Sequence, residues 1–135
     1  MDVFSRKRRS EIMSRVRTKG TAPELMVRRL LYRLGFRFRL QRKDLPGNPD
    51  IVLPKYRTVV FVHGCLWHGH DCPRGKRPTS NTEFWEKKIN GNIQRDSRAV
   101  RDLGTLGWRS LIIWQCQLKD LERLTSVLNN IKQAT

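Results

Sequence analysis

Three cysteines and three histidines carry much of the chemistry open to this chain, and five of the six fall within the ten residues from His63 to Cys72. Cys65-x4-His70-x-Cys72 sets two thiols and an imidazole close together, the ligand types that zinc prefers. Cys116 follows the apolar run Leu111-Ile112-Ile113-Trp114, and the cluster follows the run Thr58–Val62. If these runs are neighbouring strands, Cys116 completes a Cys3His set, the closed tetrahedron of a structural zinc site. The alternative is three structural thiols and an unrelated histidine. An odd number of cysteines argues against a disulfide framework.

If His70 holds metal, His63 and His68 remain for other work. A neutral imidazole can take a proton from an attacking water near neutral pH. Each could equally serve as support or face solvent. Asp96 falls on a helical stripe formed by Trp85, Ile89, Ile93, Val100 and Leu103, in the gap between Ile93 and Val100. A carboxylate there needs a partner, because burying an unpaired charge is costly. A histidine would be fixed in one tautomer by it; an arginine such as Arg95 or Arg101 would make it a plain salt bridge. Asp50 opens a strand after Pro49. It suits Mg²⁺, which prefers oxygen ligands, and suits a turn end equally well. Thr21-x-x-Glu24 fits a capping box, the more economical local reading of Glu24. Trp67 lies in a polar loop after Leu66, where an aromatic ring can stack on bases or wedge between them. Trp85 fits either that role or the core.

The elements that must position these groups are legible from periodicity. Thr21 caps a helix whose apolar residues recur at Met26/Val27, Leu30/Leu31 and Leu34, with Gly35 as its stop. Phe36–Leu40 alternates apolar and basic residues like a half-exposed strand. Leu45-Pro46-Gly47-Asn48-Pro49 is a turn, Asp50–Leu53 a short strand, and Thr58–Val62 a buried central strand. A loop follows to about Pro78. A helix is expected from about Asn81 to Leu103, a buried strand over 108–114, and an amphipathic helix marked by Leu121, Leu124, Leu128 and Ile131. The order α-β-β-β-α-β-α predicts one mixed α/β domain with a central sheet flanked by helices.

The 135 residues include 28 Lys plus Arg against 12 Asp plus Glu, a net charge of +16. Such self-repulsion is relieved by a polyanion, so nucleic acid is the expected partner. Residues 1–20, with Arg6, Lys7, Arg8, Arg9, Arg15, Arg17 and Lys19, read as a basic DNA-binding arm containing Met13, with a short helix expected from Ser10 to Val16. Residues 21–135 form the main domain. No run is long enough to span a membrane, and Met1–Lys7 lacks the apolar core of a signal peptide, so the expected location is cytoplasmic.

Taken together, Leu45-Pro46-Gly47-Asn48-Pro49-Asp50, Phe61-Val62-His63-Gly64-Cys65-Leu66-Trp67-His68, His70-x-Cys72, Thr82-Glu83-Phe84-Trp85, Asn92-x-x-Arg95-Asp96 and Gly107-Trp108-Arg109 through Trp114 to Cys116 resemble the very short patch repair endonucleases (Vsr). The resemblance runs from the Arg15 region to the last strand. It implies a restriction-endonuclease-like, PD-(D/E)XK-type fold, and an enzyme that nicks double-stranded DNA 5′ to the thymine of a T·G mismatch left by deamination of 5-methylcytosine. On this resemblance Asp50 and the main-chain carbonyl of Val62 would hold Mg²⁺. His68 would be the general base, oriented by Asp96, while Glu24 and His63 would hold metal-bound water and phosphate. Cys65, His70, Cys72 and Cys116 would ligate Zn²⁺. Leu66, Trp67 and Trp85 would form a wedge in the base stack, with Met13 approaching from the other groove. A single nick requires one active site and implies a monomer. Two features depart from pattern. Phe61-Val62-His63 stands where nucleases of this fold carry Glu-x-Lys, which shifts the chemistry to histidine, and Leu66 stands where the family can carry an aromatic residue.

Overall fold

A computed structural model describes residues 21–40 and 42–133. The basic arm, its expected helix and Met13 lie outside the described residues. Helix α1 (Ala22–Arg33) is followed by β1 (Arg39–Leu40), β2 (Ile51–Leu53), β3 (Thr58–His63), α2 (Thr82–Thr105), β4 (Arg109–Trp114) and α3 (Leu121–Gln133). Short 3-10 turns follow β2 and β4 and close the loop before α2.

The sheet runs β1-β2-β3-β4, with β1, β2 and β3 antiparallel and β4 parallel to β3. Alternation along the strands sends side chains to two cores, one on each face. Ile51, Leu53, Val60 and Ile113 meet Val27 and Leu31 of α1 and Leu124, Leu128 and Ile131 of α3. Val52, Val59 and Phe61 meet Ala99 and Leu103 of α2, together with Leu45. His63 follows the parity of Val59 and Phe61, so it emerges on the α2 face. The parallel ladder pairs it with Trp114. The long connection through α2 is what a parallel strand pair requires.

Thr21 caps α1 through its hydroxyl, which accepts from the Glu24 amide at 3.5 Å, and Gly35 ends that helix at φ +88°. Left-handed backbone of this kind suits glycine.

Four expectations require correction. The alternating segment Phe36–Leu40 is a strand only at Arg39 and Leu40, because Phe36 is drawn into the core beneath α1 and α3. Val100 on α2 is exposed and Ala99 takes the buried position, next to the loop at Gly47. Residues 108–114 lie at the sheet edge, and of them only Ile113 is fully buried. Leu121, at the first turn of α3, is exposed.

Candidate active site and metal centre

His68 and Asp96 meet as the spacing on α2 suggested. His68 Nδ1 lies 2.6 Å from Asp96 Oδ2, a short charge-assisted hydrogen bond. Among the described residues, imidazoles and not arginines are the partners of Asp96. Arg95 turns away, donating to the Gly91 carbonyl and to Asn92 Oδ1. The Asp96 side chain is 25% exposed, at the rim of the helix face and not within the core.

His63 lies flat on His68, with ring centroids 3.8 Å apart and planes 3° apart, and its Nε2 is 3.9 Å from Asp96 Oδ1. Burial holds the His63 imidazole down to about 4. The neighbouring His68 adds to the effect, and Asp96 and Asp50 oppose it. His63 is therefore neutral at pH 7. His63, His68 and Asp96 are close enough to hold a metal ion together. However, the hydrogen bond to Asp96 already uses Nδ1 of His68, leaving Nε2 as its free ring atom.

Asp50 sits where the turn meets β2, and its Oδ2 accepts the Val62 amide at 2.8 Å. The carboxylate is thereby tied to the strand that ends in His63. Glu24 is buried at 2% exposure and paired with Arg28 on the next turn of α1. The amide half of the expected capping box forms. Neither Asp50 nor Glu24 belongs to the His63–His68–Asp96 group.

Cys65, His70, Cys72 and Cys116 converge, with ligand atoms all within 4.8 Å of one another. Zinc–sulfur bonds near 2.3 Å imply tetrahedral edges of about 3.8 Å, so this donor set fits zinc with small adjustment. The parallel pairing of β3 and β4 makes the set possible. It brings the loop after His63 beside the turn that holds Cys116, whose sulfur is 3.5 Å from His70 Nδ1. Burial raises the Cys65 thiol to about 11. At Cys72, desolvation raises the thiol, but hydrogen bonding by His70 and by the Gly75 amide reverses this and brings it to about 7. Gly75 is buried inside the loop, and a Cβ built there would overlap the His70 carbonyl oxygen.

Trp67 packs on Trp85 at 5.3 Å, beneath the Lys88 ammonium. It is half-buried, so the loop is less open than its polarity suggested. Asn92 donates to the Trp67 carbonyl at 2.7 Å. Leu66 is also half-buried, whereas Phe84 is 60% exposed and packs edge-on against Trp85. Lys88 escaped the sequence reading, and Phe84 and Asn92 entered it only as members of motifs, with no role of their own, although the i, i+4 spacing of the three on α2 was visible. Met13 lies outside the described residues. Two cavities flank the His68–Asp96 pair. One, of about 370 Å³, is walled by Ile93, Val100, Ile112 and Trp114; the other, of about 420 Å³, is lined by Asn92, Arg95 and Arg98.

A basic α/β domain with an imidazole–carboxylate pair, a carboxylate at a strand end and a sulfur–nitrogen cluster has the equipment of a nuclease. The sequence model described as DNA mismatch endonuclease Vsr matches residues 1–74. The chain is 52% identical over 130 residues to type II nicking enzyme V.XorIIP of Xanthomonas oryzae pv. oryzae, covering 96% of each protein. It is 46% identical over 124 residues to DNA mismatch endonuclease Vsr of Escherichia coli K12, covering 92% of this chain and 80% of that one. With type II nicking enzyme V.NmeAIP of Neisseria meningitidis it shares 44% identity over 98% of each. The chain belongs to the DNA mismatch endonuclease Vsr family, and so is an endonuclease that nicks DNA. No described helix is long and apolar enough to cross a membrane.

Proposed function

We propose that the chain nicks duplex DNA 5′ to the thymine of a T·G mismatch, the lesion left by deamination of 5-methylcytosine, and so starts very short patch repair. The observation that carries this reading is the His68 Nδ1–Asp96 Oδ2 contact at 2.6 Å. Phosphodiester hydrolysis needs a base for water and a counter-charge for the phosphate. With Nδ1 held by Asp96, His68 Nε2 is the free ring atom, available to take a proton from water. Asp96 then stabilises the imidazolium that forms. His63, neutral at pH 7 and stacked on His68, orients water and phosphate without competing for the proton.

Asp50 with the Val62 carbonyl is the proposed Mg²⁺ site. The amide and carbonyl of a strand residue face the same edge. The bond from the Val62 amide to Asp50 therefore supports a carbonyl on the same side. An oxygen donor set suits a hard ion, which when bound would supply positive charge to the phosphate and lower the pKa of water. Glu24 is proposed to support the water shell from α1. The Cys65, His70, Cys72 and Cys116 set is the proposed structural Zn²⁺ site. Leu66, Trp67 and Trp85, with Phe84 beside them, form the proposed wedge, joined from the other groove by Met13 of a DNA-binding arm, residues 1–20. Residues 21–135 would then be the endonuclease domain, in a restriction-endonuclease-like fold. The reading implies a monomer acting on DNA in the cytoplasm.

His68→Ala should abolish nicking of a T·G duplex, and Asp96→Asn should slow it by about a hundredfold or more, with binding retained in both. The double variant should be little worse than His68→Ala, because the two residues act as one unit. Additive losses, or near-normal nicking by Asp96→Asn, would reduce Asp96 to a salt-bridge residue and move the base elsewhere, with His63 the next candidate.

A further inference from the structure

The indole of Trp114 connects the two centres. It stacks on His70, with centroids 4.1 Å apart and planes at 14°. It meets His63 edge-on at 5.3 Å and 73°, and His68 at 6.5 Å and 70°. Its backbone is fixed as well. It pairs with His63 in the parallel ladder, and its amide donates to Gln117 Oε1 at 2.7 Å in the turn that carries Cys116. One ring therefore stacks face to face on a ligand of the sulfur–nitrogen cluster and makes T-shaped contacts with the stacked His63–His68 pair. The carboxylate–imidazole bond of His68 fixes rotation about one axis only. The plane of the imidazole pair is set by what it leans against, and on the β4 side that is Trp114.

We propose that Trp114 is a positioning residue for nicking. It fixes the plane of the His63–His68 pair by bracing it against His70 of the cluster. The inference rests on the assignment of His68 as base. Edge-to-face and stacked aromatic contacts are directional, so an apolar residue of similar bulk without a ring fills the space but lacks that directional contact. Rotation of a proton acceptor by a fraction of its reach is expensive, since misplacement by about 1 Å can cost about a hundredfold in rate.

The test uses the full chain and a T·G duplex under single-turnover conditions with saturating enzyme. Trp114→Leu should lower the saturated nicking rate by about 10–100-fold, with one zinc per chain and a half-saturation concentration within about twofold of wild type. Trp114→Phe, which keeps a ring between the imidazoles, should recover most of the rate. Wild-type rates from Trp114→Leu would overturn the proposal. So would losses that follow DNA binding or zinc content, or a phenylalanine variant as slow as the leucine one. If the leucine variant does not fold, Trp114→Met takes its place. Failure of both to fold with zinc makes the indole a packing residue and overturns the proposal. A His68→Ala protein that still nicks removes the base assignment and this inference with it. An inactive His68→Ala beside a normal Trp114→Leu removes this inference alone.

Discussion

Individual residues here act in pairs, and the pairs set what a substitution does. Asp96 was readable because a carboxylate on an apolar stripe demands a partner, and the partner is an imidazole. Glu24 was not readable. Thr21-x-x-Glu24 has an adequate local explanation, and the pairing with Arg28 and the deep burial of its side chain are set by the way α1 packs on the sheet. Trp67 was judged from its polar neighbours in sequence, but its packing on Trp85 comes from the fold of the loop back onto α2. Opening a base step costs a few kcal/mol, offset by stacking on aromatic faces. Trp67→Ala should therefore weaken binding to a T·G duplex by about 1–3 kcal/mol, read by equilibrium titration, with the fold retained. If the variant binds and cuts as wild type does, Trp67 takes no part in the wedge.

Elements decide which residues meet. Element order and most of the core were legible, because α1, α2 and α3 show helical periodicity and β3 is continuously apolar. The parallel pairing of β3 with β4 was only a condition in the sequence reading, since strand pairing is non-local, and the convergence of Cys65, His70, Cys72 and Cys116 depends on it. The cluster loop also depends on Gly75, where a Cβ would overlap the His70 carbonyl oxygen. Gly75→Ala should push that strap outward and open the ligand set. Purified Gly75→Ala should hold less than about half an equivalent of zinc, where the wild type holds one. A strong chelator should give the wild type the same loss, together with earlier thermal unfolding. A fully zinc-loaded Gly75→Ala would show that the loop adjusts at little cost. A zinc-free wild type that is well folded would remove the structural role of the metal.

On the scale of the whole molecule, charge and the proposed wedge would divide the work of binding. A net +16 gives affinity for any duplex. Neutralising five or more phosphates should make log K fall with log salt at a slope of about −4.5 or steeper. Replacing Arg6, Lys7, Arg8 and Arg9 together with Gln should flatten that slope for T·G and T·A duplexes alike. An unchanged slope would mean that these arm residues contact no phosphate. On the proposed reading, discrimination comes from the Trp67–Trp85 aromatic patch and the cavity lined by His68, Asn92 and Asp96. The most direct measurement is the single-turnover rate on two duplexes that differ only in one base pair, T·G or T·A, with each strand labelled and the cut mapped. The account predicts a single nick, 5′ to the mismatched thymine, at least about a hundredfold faster than any cut in the T·A duplex. Equal rates on the two duplexes, or cutting of both strands, would contradict it.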